Sequence, residues 1–263
     1  MSALYKRYCE FSINNRVLTS PPFNLEFDTE YSVSTSNQTK AVIYNPSLET
    51  IAACEKKKDQ KALVTIDAGY EDDYGTCVAG EIIKFEIEKK IDKILTLTIA
   101  DKTSLWTSAV VNRSWKGSIS AEDVIKNILG DVGITPAKVD LEINKIYSRG
   151  ISFSGVSLRT AMKRLENDTK SNFFFKNGLA YFLKNQSSSS ASVFYLSPAT
   201  GLLSAKKTDK GYTVKSLFLY KIGAGSLVEI DGVDVQGLFK VISGKNKFTS
   251  KGQAGSEFEV KKL

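Results

Sequence analysis

From Glu81 to Asp101 the chain reads EIIKFEIEKKIDKILTLTIAD, apolar and polar side chains alternating on both sides of a short charged break. Alternation of period two over this length excludes an amphipathic helix and calls for two strands, each with a dry and a wet face. In the first, Ile83, Phe85 and Ile87 point one way, and Lys84, Glu86 and Glu88 the other. In the second, Leu95, Leu97 and Ile99 lie opposite Thr96 and Thr98. The expectation is a long hairpin turning at KKIDK. Such a hairpin cannot bury its dry face alone, so further strands must close over it.

Those strands are visible upstream. RYCEFSIN, NLEFDTEYSVS, KAVIYN, ALVTIDAGY and CVAGEIIKFEIEKK share the alternation and are rich in β-branched and aromatic residues. Only NPSLETIAACEKKK breaks the pattern. Leu48, Ile51, Ala52 and Glu55 have helical spacing there, which predicts a short helix over a barrel end.

Beyond residue 112 the pattern changes. SISAEDVIKNILGDVGI reads as a helix with Ser120 as N-cap, Val124, Ile125, Ile128 and Leu129 as its apolar stripe, and Gly130 or Gly133 as terminator. VSLRTAMKRLENDTK reads as a second helix, capped by Ser157, with Leu158, Ala161, Met162 and Leu165 inward. NFFFKNGLAYFLKN predicts a hairpin turning at Asn177-Gly178. QSSSSAS, residues 186–192, reads as a linker or loop. Short alternating runs broken by Gly, Asp and Asn then resume to the last residue. The expected architecture is therefore mainly β, with two antiparallel barrels at 1–112 and 191–263 flanking a small α+β domain at 113–190.

Composition removes much chemistry. There is no histidine among the 263 residues, which excludes Ser–His and Cys–His nucleophile pairs and histidine zinc sites. Cys9, Cys54 and Cys77 share no metal-ligand spacing and read as free thiols of a reducing compartment. No apolar run has the ~20 residues that span a bilayer, and the opening MSALYKRYCEFSINNRV lacks the apolar core of a signal peptide. The net charge of +7 is spread over Lys56–Lys58, Lys89–Lys90, Lys206–Lys207 and Lys245–Lys251, with acids between. That pattern suits solubility better than a nucleic-acid groove.

Five stretches imitate sites. Asp67, Glu71, Asp72 and Asp73 beside Cys77 fail as a calcium loop, because Asp72 stands where the sixth-position glycine must be. They read as the solvated tip of a hairpin. IGAGSLV at 222–228 puts Val228 in place of the third glycine of a dinucleotide loop, and strand follows where a helix is needed. GLLSAKKT at 201–208 has Lys206 where a phosphate loop needs glycine. Phe173, Phe174, Phe175, Tyr181 and Phe182, with Lys176 and Lys184, could stack on single-stranded nucleic acid but fit a hairpin core better. Trp106 and Trp115 read as packing at a domain seam. No catalytic, metal or cofactor residue is assigned, and the chain is expected not to be an enzyme.

The order of segments resembles the central baseplate hub protein of contractile phage tails and of tail-like particles such as R-type bacteriocins. FNLEFDTEYSVSTSNQTKAVIYNPS resembles that family's opening, and VTIDAGYEDDYGTCVAGEI its next hairpin, through Gly69-Tyr70 and Gly80-Glu81-Ile82. ISFSGVSLRTAMKRLENDTKSNFFFKNGLAYF resembles its middle helix and hairpin. SPATGLLSAKKTDKGYTVKSLFLYKIGAGSLVEID and GLFKVISGKNKFTSKGQAGSEFEVKKL resemble its late segments. The chain departs from the family near the end, where GKNKFTSKGQAGSEF replaces a His- or Trp-containing segment, and it shows no lytic module.

The resemblance implies two tube-protein-like barrels per chain and three chains per ring. Such a homotrimer has pseudo-sixfold symmetry and joins a hexameric tail tube to a trimeric central spike, possible contacts with other baseplate proteins included. It also implies that Lys84, Glu86, Glu88, Thr96 and Thr98 face the lumen or a neighbouring subunit, while Phe85, Ile87, Leu95 and Leu97 fill the barrel. The location implied is a virion or tail-like particle assembled in the bacterial cytoplasm, with no cofactor and no specific nucleic-acid binding. The alternative kept open is a basic β-barrel protein that binds nucleic acid.

Overall fold

The computed structural model describes residues 6–34, 37–55, 62–89, 91–101, 104–209 and 211–263; Lys56–Lys58 and Lys90 lie outside them. The first unit contains β1 (Arg7–Ile13), β2 (Arg16–Ser20), β3 (Leu25–Ser32), β4 (Gln38–Tyr44), α1 (Leu48–Cys54), β5 (Leu63–Tyr70), β6 (Asp73–Lys89) and β7 (Lys93–Ala100). The middle contains α2 (Ser104–Ser108), β8 (Val110–Trp115), β9 (Ile119–Ser120), α3 (Ala121–Asp131), β10 (Pro136–Asp140), β11 (Ile146–Tyr147), β12 (Ile151–Ser157), α4 (Leu158–Thr169), β13 (Asn172–Lys176) and β14 (Leu179–Leu183). The last stretch contains β15 (Phe194–Leu196), β16 (Leu202–Thr208), β17 (Gly211–Ser216), β18 (Leu227–Asp231), β19 (Gln236–Thr249) and β20 (Gly255–Lys262).

The fold is mainly β, and its two β-rich parts are not separate sheets. Among the described residues thirteen strands form one sheet in the order β16-β17-β20-β19-β3-β4-β7-β6-β5-β1-β2, with β15 and β18 attached beside β19. The join is β19. Its first half pairs with β18, and its second half, Ser243–Thr249, pairs antiparallel with β3. The first unit thus takes a strand from the far end of the chain.

Each half of the sheet curls around its own core. Phe11 of β1, Phe27 of β3, Ile43 of β4, Ile66 of β5, Leu97 of β7 and Phe248 of β19 belong to one buried cluster. Side chains from so many neighbouring strands can meet only if the sheet wraps round on itself. Phe27 stacks on Phe248 at 5.6 Å and meets Phe218 edge-on at 6.0 Å, so the C-terminal stretch supplies two aromatic rings to the N-terminal core. Ile51 and Ala53 of α1 pack on the same core, with Ser47 capping the helix at the Thr50 N–H. The second core is built from β15 to β20, including Val214, Val228, Phe239, Val241 and Phe258.

The middle unit has a third core. Ser120 and Ser157 accept from the N–H groups of Asp123 and Thr160, starting α3 and α4. The predicted stripes of both helices are fully buried. They lie with the three-stranded sheet β10-β14-β13 and the ribbons β8–β12 and β9–β11. Asn177 (φ 51°) and Gly178 (φ 75°) make the tight turn between β13 and β14, where both central residues need positive φ.

One expectation is corrected. Ile83 does not point with Phe85 and Ile87. A β-bulge between Ile82 and Lys84 adds a residue to β6, so Ile82 pairs with Ile99 and Lys84 with Thr98. Ile82 is 2% exposed and Ile83 46%, so the extra residue is Ile83, turned out of the core.

Candidate assembly face

The outward face of the sheet carries one polar surface across its seven middle strands, β17 to β6. Direct cross-strand partners share a face, so the pairing register places residues in rows across the strands. One row runs Lys215–Glu257–Lys245–Glu30–Gln38 across β17, β20, β19, β3 and β4. The next runs Lys247–Asp28–Lys40–Thr98–Lys84 across β19, β3, β4, β7 and β6. A third runs Glu26–Val42–Thr96–Glu86. The rows between them point inward: Phe248–Phe27–Ala41–Leu97 and Leu25–Ile43–Leu95 are buried and apolar, and Asn246–Thr29–Thr39–Ile99 is buried with three polar side chains.

Charge alternates along the first row, from Lys215 to Glu30, and opposite charges also meet between rows. Lys215 and Lys245 both reach Glu257, at 3.4 and 3.7 Å, and Lys84 reaches Glu86 at 2.5 Å. The hydrogen bond and charge of Lys84, with Lys40 nearby, hold the Glu86 carboxyl below the usual range. Opposite charges in adjacent positions stabilise the pairing, while the rows as a whole keep no large field of one sign. The surface therefore offers hydration and local charge complementarity, with a shallow hollow between Glu30, Lys245 and Glu257.

Lys84, Glu86, Glu88, Thr96 and Thr98 lie on one side of the β6–β7 hairpin. Thr98 pairs with Lys84, Thr96 with Glu86, and Glu88 lies opposite Ile94 near the tip of the β6–β7 hairpin. Sequence pattern found the β6–β7 part alone. Its continuation through Lys40, Asp28, Lys245 and Glu257 depends on β19 lying beside β3, which no local pattern reveals.

The acidic turn has a structural task that the sequence reading missed. Glu71 pairs with Lys6 at 2.8 Å, and Asp72 is exposed. Asp73, however, accepts from the Tyr220 hydroxyl at 2.8 Å and from Lys221 at 2.8 Å. Burial opposes its charge, yet these hydrogen bonds outweigh burial and keep the carboxyl below its ordinary range. The Tyr220 ring lies against Gly75, where a Cβ would come within 2.7 Å of it. The turn thus docks the first unit onto the segment between β17 and β18.

The other imitations of sites resolve into fold. Leu202–Thr208 form strand β16, and residues 222–226 form the turn into β18, which begins at Leu227. Phe173, Phe174, Phe175 and Phe182 are at most 3% exposed, leaving no aromatic platform for bases. Trp106 meets Phe173 and Phe175 edge-on, and Trp115 meets Phe153. Cys9 and Cys54 are buried free thiols, and burial pushes the Cys77 thiol up as well. Among the described residues no cluster of Cys, Asp or Glu could hold a metal ion, and no helix is long and apolar enough to cross a membrane.

No known family model and no curated protein sequence matches the chain. Solved structures do. The 43 kDa tail protein of prophage MuSo2 from Shewanella oneidensis superposes with a TM-score of 0.71 at 9% identity, over 98% of this chain and 97% of that one. A tail protein from Neisseria meningitidis MC58 gives 0.71 at 11% identity, over 98% and 97%. The E. coli c3393 protein, a type VI secretion component with structural similarity to the T4 phage tail proteins gp27 and gp5, gives 0.66 at 12% identity, over 96% and 76%.

Proposed function

From a chain that shares the fold of phage tail proteins over nearly its whole length, we propose a structural hub of a contractile tail baseplate. In this reading three copies close into a ring with pseudo-sixfold symmetry, joining a hexameric tail tube to a trimeric central spike. The chain does no chemistry. It works in a virion or tail-like particle, assembled in the bacterial cytoplasm.

The observation that carries the proposal is the continuous charged face spanning both curls of the sheet. A single chain with two curled half-sheets offers two β-surfaces to a ring, so three chains would offer six. Lys84, Glu86, Glu88, Thr96 and Thr98 then line the lumen or meet a neighbouring subunit. The free edges of β2 and β16 favour closure, because a ring of heterologous contacts covers strand edges that otherwise invite aggregation.

The test is native mass spectrometry of the chain co-expressed with the tube and spike proteins encoded beside it. A trimer bound to one or both is the expected outcome. A chain that stays monomeric with both present, and binds neither, overturns the proposal.

A further inference from the structure

The middle unit meets the sheet through a joint with little apolar content. Its buried apolar part is Phe174, Leu183 and Ala224. Half-buried Tyr31, Val33 and Tyr181 pack around it, and two lysines stand beside it. Lys176, at the end of β13, donates to the hydroxyls of Ser190, Ser189 and Ser226 at 3.1, 3.3 and 3.4 Å. Lys240, on β19 and 3% exposed, donates to the Lys184 carbonyl at 2.7 Å. One lysine reaches from the middle unit to the sheet, and the other reaches back.

Neither amine has a carboxylate in ion-pair range among the described residues. Asp101, Cys77, Tyr31 and Tyr220 line the small cavity that Lys176 enters. Lys138 and Asp140 are the charges nearest Lys240, and Asp140 is already engaged with Lys184 at 3.3 Å. Burial holds both amines down to about 8; at Lys240 the charge of Lys138 adds to the effect and that of Asp140 offsets only part of it. An ammonium withdrawn from water without a counter-charge weakens the state that buries it.

The groups around the amines do not depend on them. Ser189 also donates to the Ala224 carbonyl at 2.7 Å, and the Ser190 and Ser226 hydroxyls pair at 2.9 Å. The Lys184 carbonyl also accepts from the Ser187 N–H at 3.2 Å. Removing either amine would leave none of these atoms without a partner.

We propose that this joint is a release catch: two buried ammonium groups keep the middle unit only weakly docked, so that it separates from the sheet as a body on its two chain connections, the one after β7 and the one at residues 184–193. The catch operates whether or not the chain joins a ring. Between about pH 8 and about 10.5 the undocked state holds more protons than the docked one, so docking strengthens as pH rises through that window and is weakest below it.

Hydrogen exchange on the full chain tests this at residues 187–190 and 222–228, with the amides of β4 and β7 as internal reference. Lys176→Met and Lys240→Met should each slow exchange at the joint at least tenfold near pH 7, since one pKa unit corresponds to tenfold and both amines are lowered by more than that. Wild-type protection there, corrected for the intrinsic base dependence of exchange, should rise about tenfold between about pH 7 and about pH 9.5. The wild-type pH series needs no substitution and so survives a variant that fails to fold. Flat or falling wild-type protection, or faster exchange in both variants, overturns the proposal and makes the lysines pins.

Discussion

The Asp73 carboxylate takes hydrogen bonds from Tyr220 and Lys221, tying an otherwise solvated turn to a segment nearly 150 positions away in the chain. Both ionic partners are more than a third exposed, so screening limits the tie to about 0.5–1 kcal/mol. Asp73→Asn should lower the melting temperature by about 2–4 °C, while Asp72→Asn should leave it unchanged. Because the folded pKa lies below the ordinary carboxylate value, the Asp73 contribution is complete above that value and fades as pH falls through the folded one. The gap between wild type and Asp73→Asn should therefore close in acid, which a pH series of thermal melts will show. The glycines of the family likeness act at the same scale. A Cβ on Gly80 would come within 2.5 Å of the Ala100 carbonyl oxygen, and one on Gly69 within 2.3 Å of the Asp73 carbonyl oxygen. Both obstacles are backbone, so Gly80→Ala should cost about 1–3 kcal/mol in urea unfolding.

At the scale of elements, the β6–β7 hairpin shows what alternation can and cannot carry. Deleting Ile83 should remove the bulge and keep Ile82 inward, Lys84 outward and Phe85 inward, leaving the fold intact. Deleting Thr96 from β7 should flip every residue beyond it to the wrong face and unfold the first unit; circular dichroism of the two deletions distinguishes them. Helix caps at Ser120 and Ser157 and the turn at Asn177-Gly178 were legible in the sequence because each is settled by atoms within four residues. The bulge was not legible, since an extra apolar residue beside Ile82 leaves the pattern ambiguous by one position. Nor were Lys176 and Lys240, which look like ordinary surface charges until two units close over them. Alternation places Lys84, Glu86, Glu88, Thr96 and Thr98 on one side of the hairpin, but the continuation of that side across β3 and β19 is out of its reach. Period two identifies a strand without identifying its neighbour.

For the whole molecule, the central place of β19 makes the two halves interdependent. Phe248→Ala should cost about 3–5 kcal/mol, and hydrogen exchange should quicken in β3 and β4 as well as in β20, because the ring belongs to the first core. The charged face makes a separate prediction. Replacing Lys84 and Lys40 together with Glu should leave the melting temperature of the isolated chain within about 2 °C, since both are exposed. The same change should weaken assembly with tube and spike partners, read as loss of the trimer in native mass spectrometry. Unaltered assembly would remove this face from the proposed ring.

The pairing of Ser32 with Ser243 also sets a timetable for synthesis. A ribosome adding about 5–20 residues per second emits β3 roughly 10–40 s before the strand that must lie beside it. Through that interval β3 has an open edge and Phe27 lacks its stacking partner, the condition under which nascent chains aggregate or recruit chaperones. The first half of this protein can finish folding only after the second half has been made.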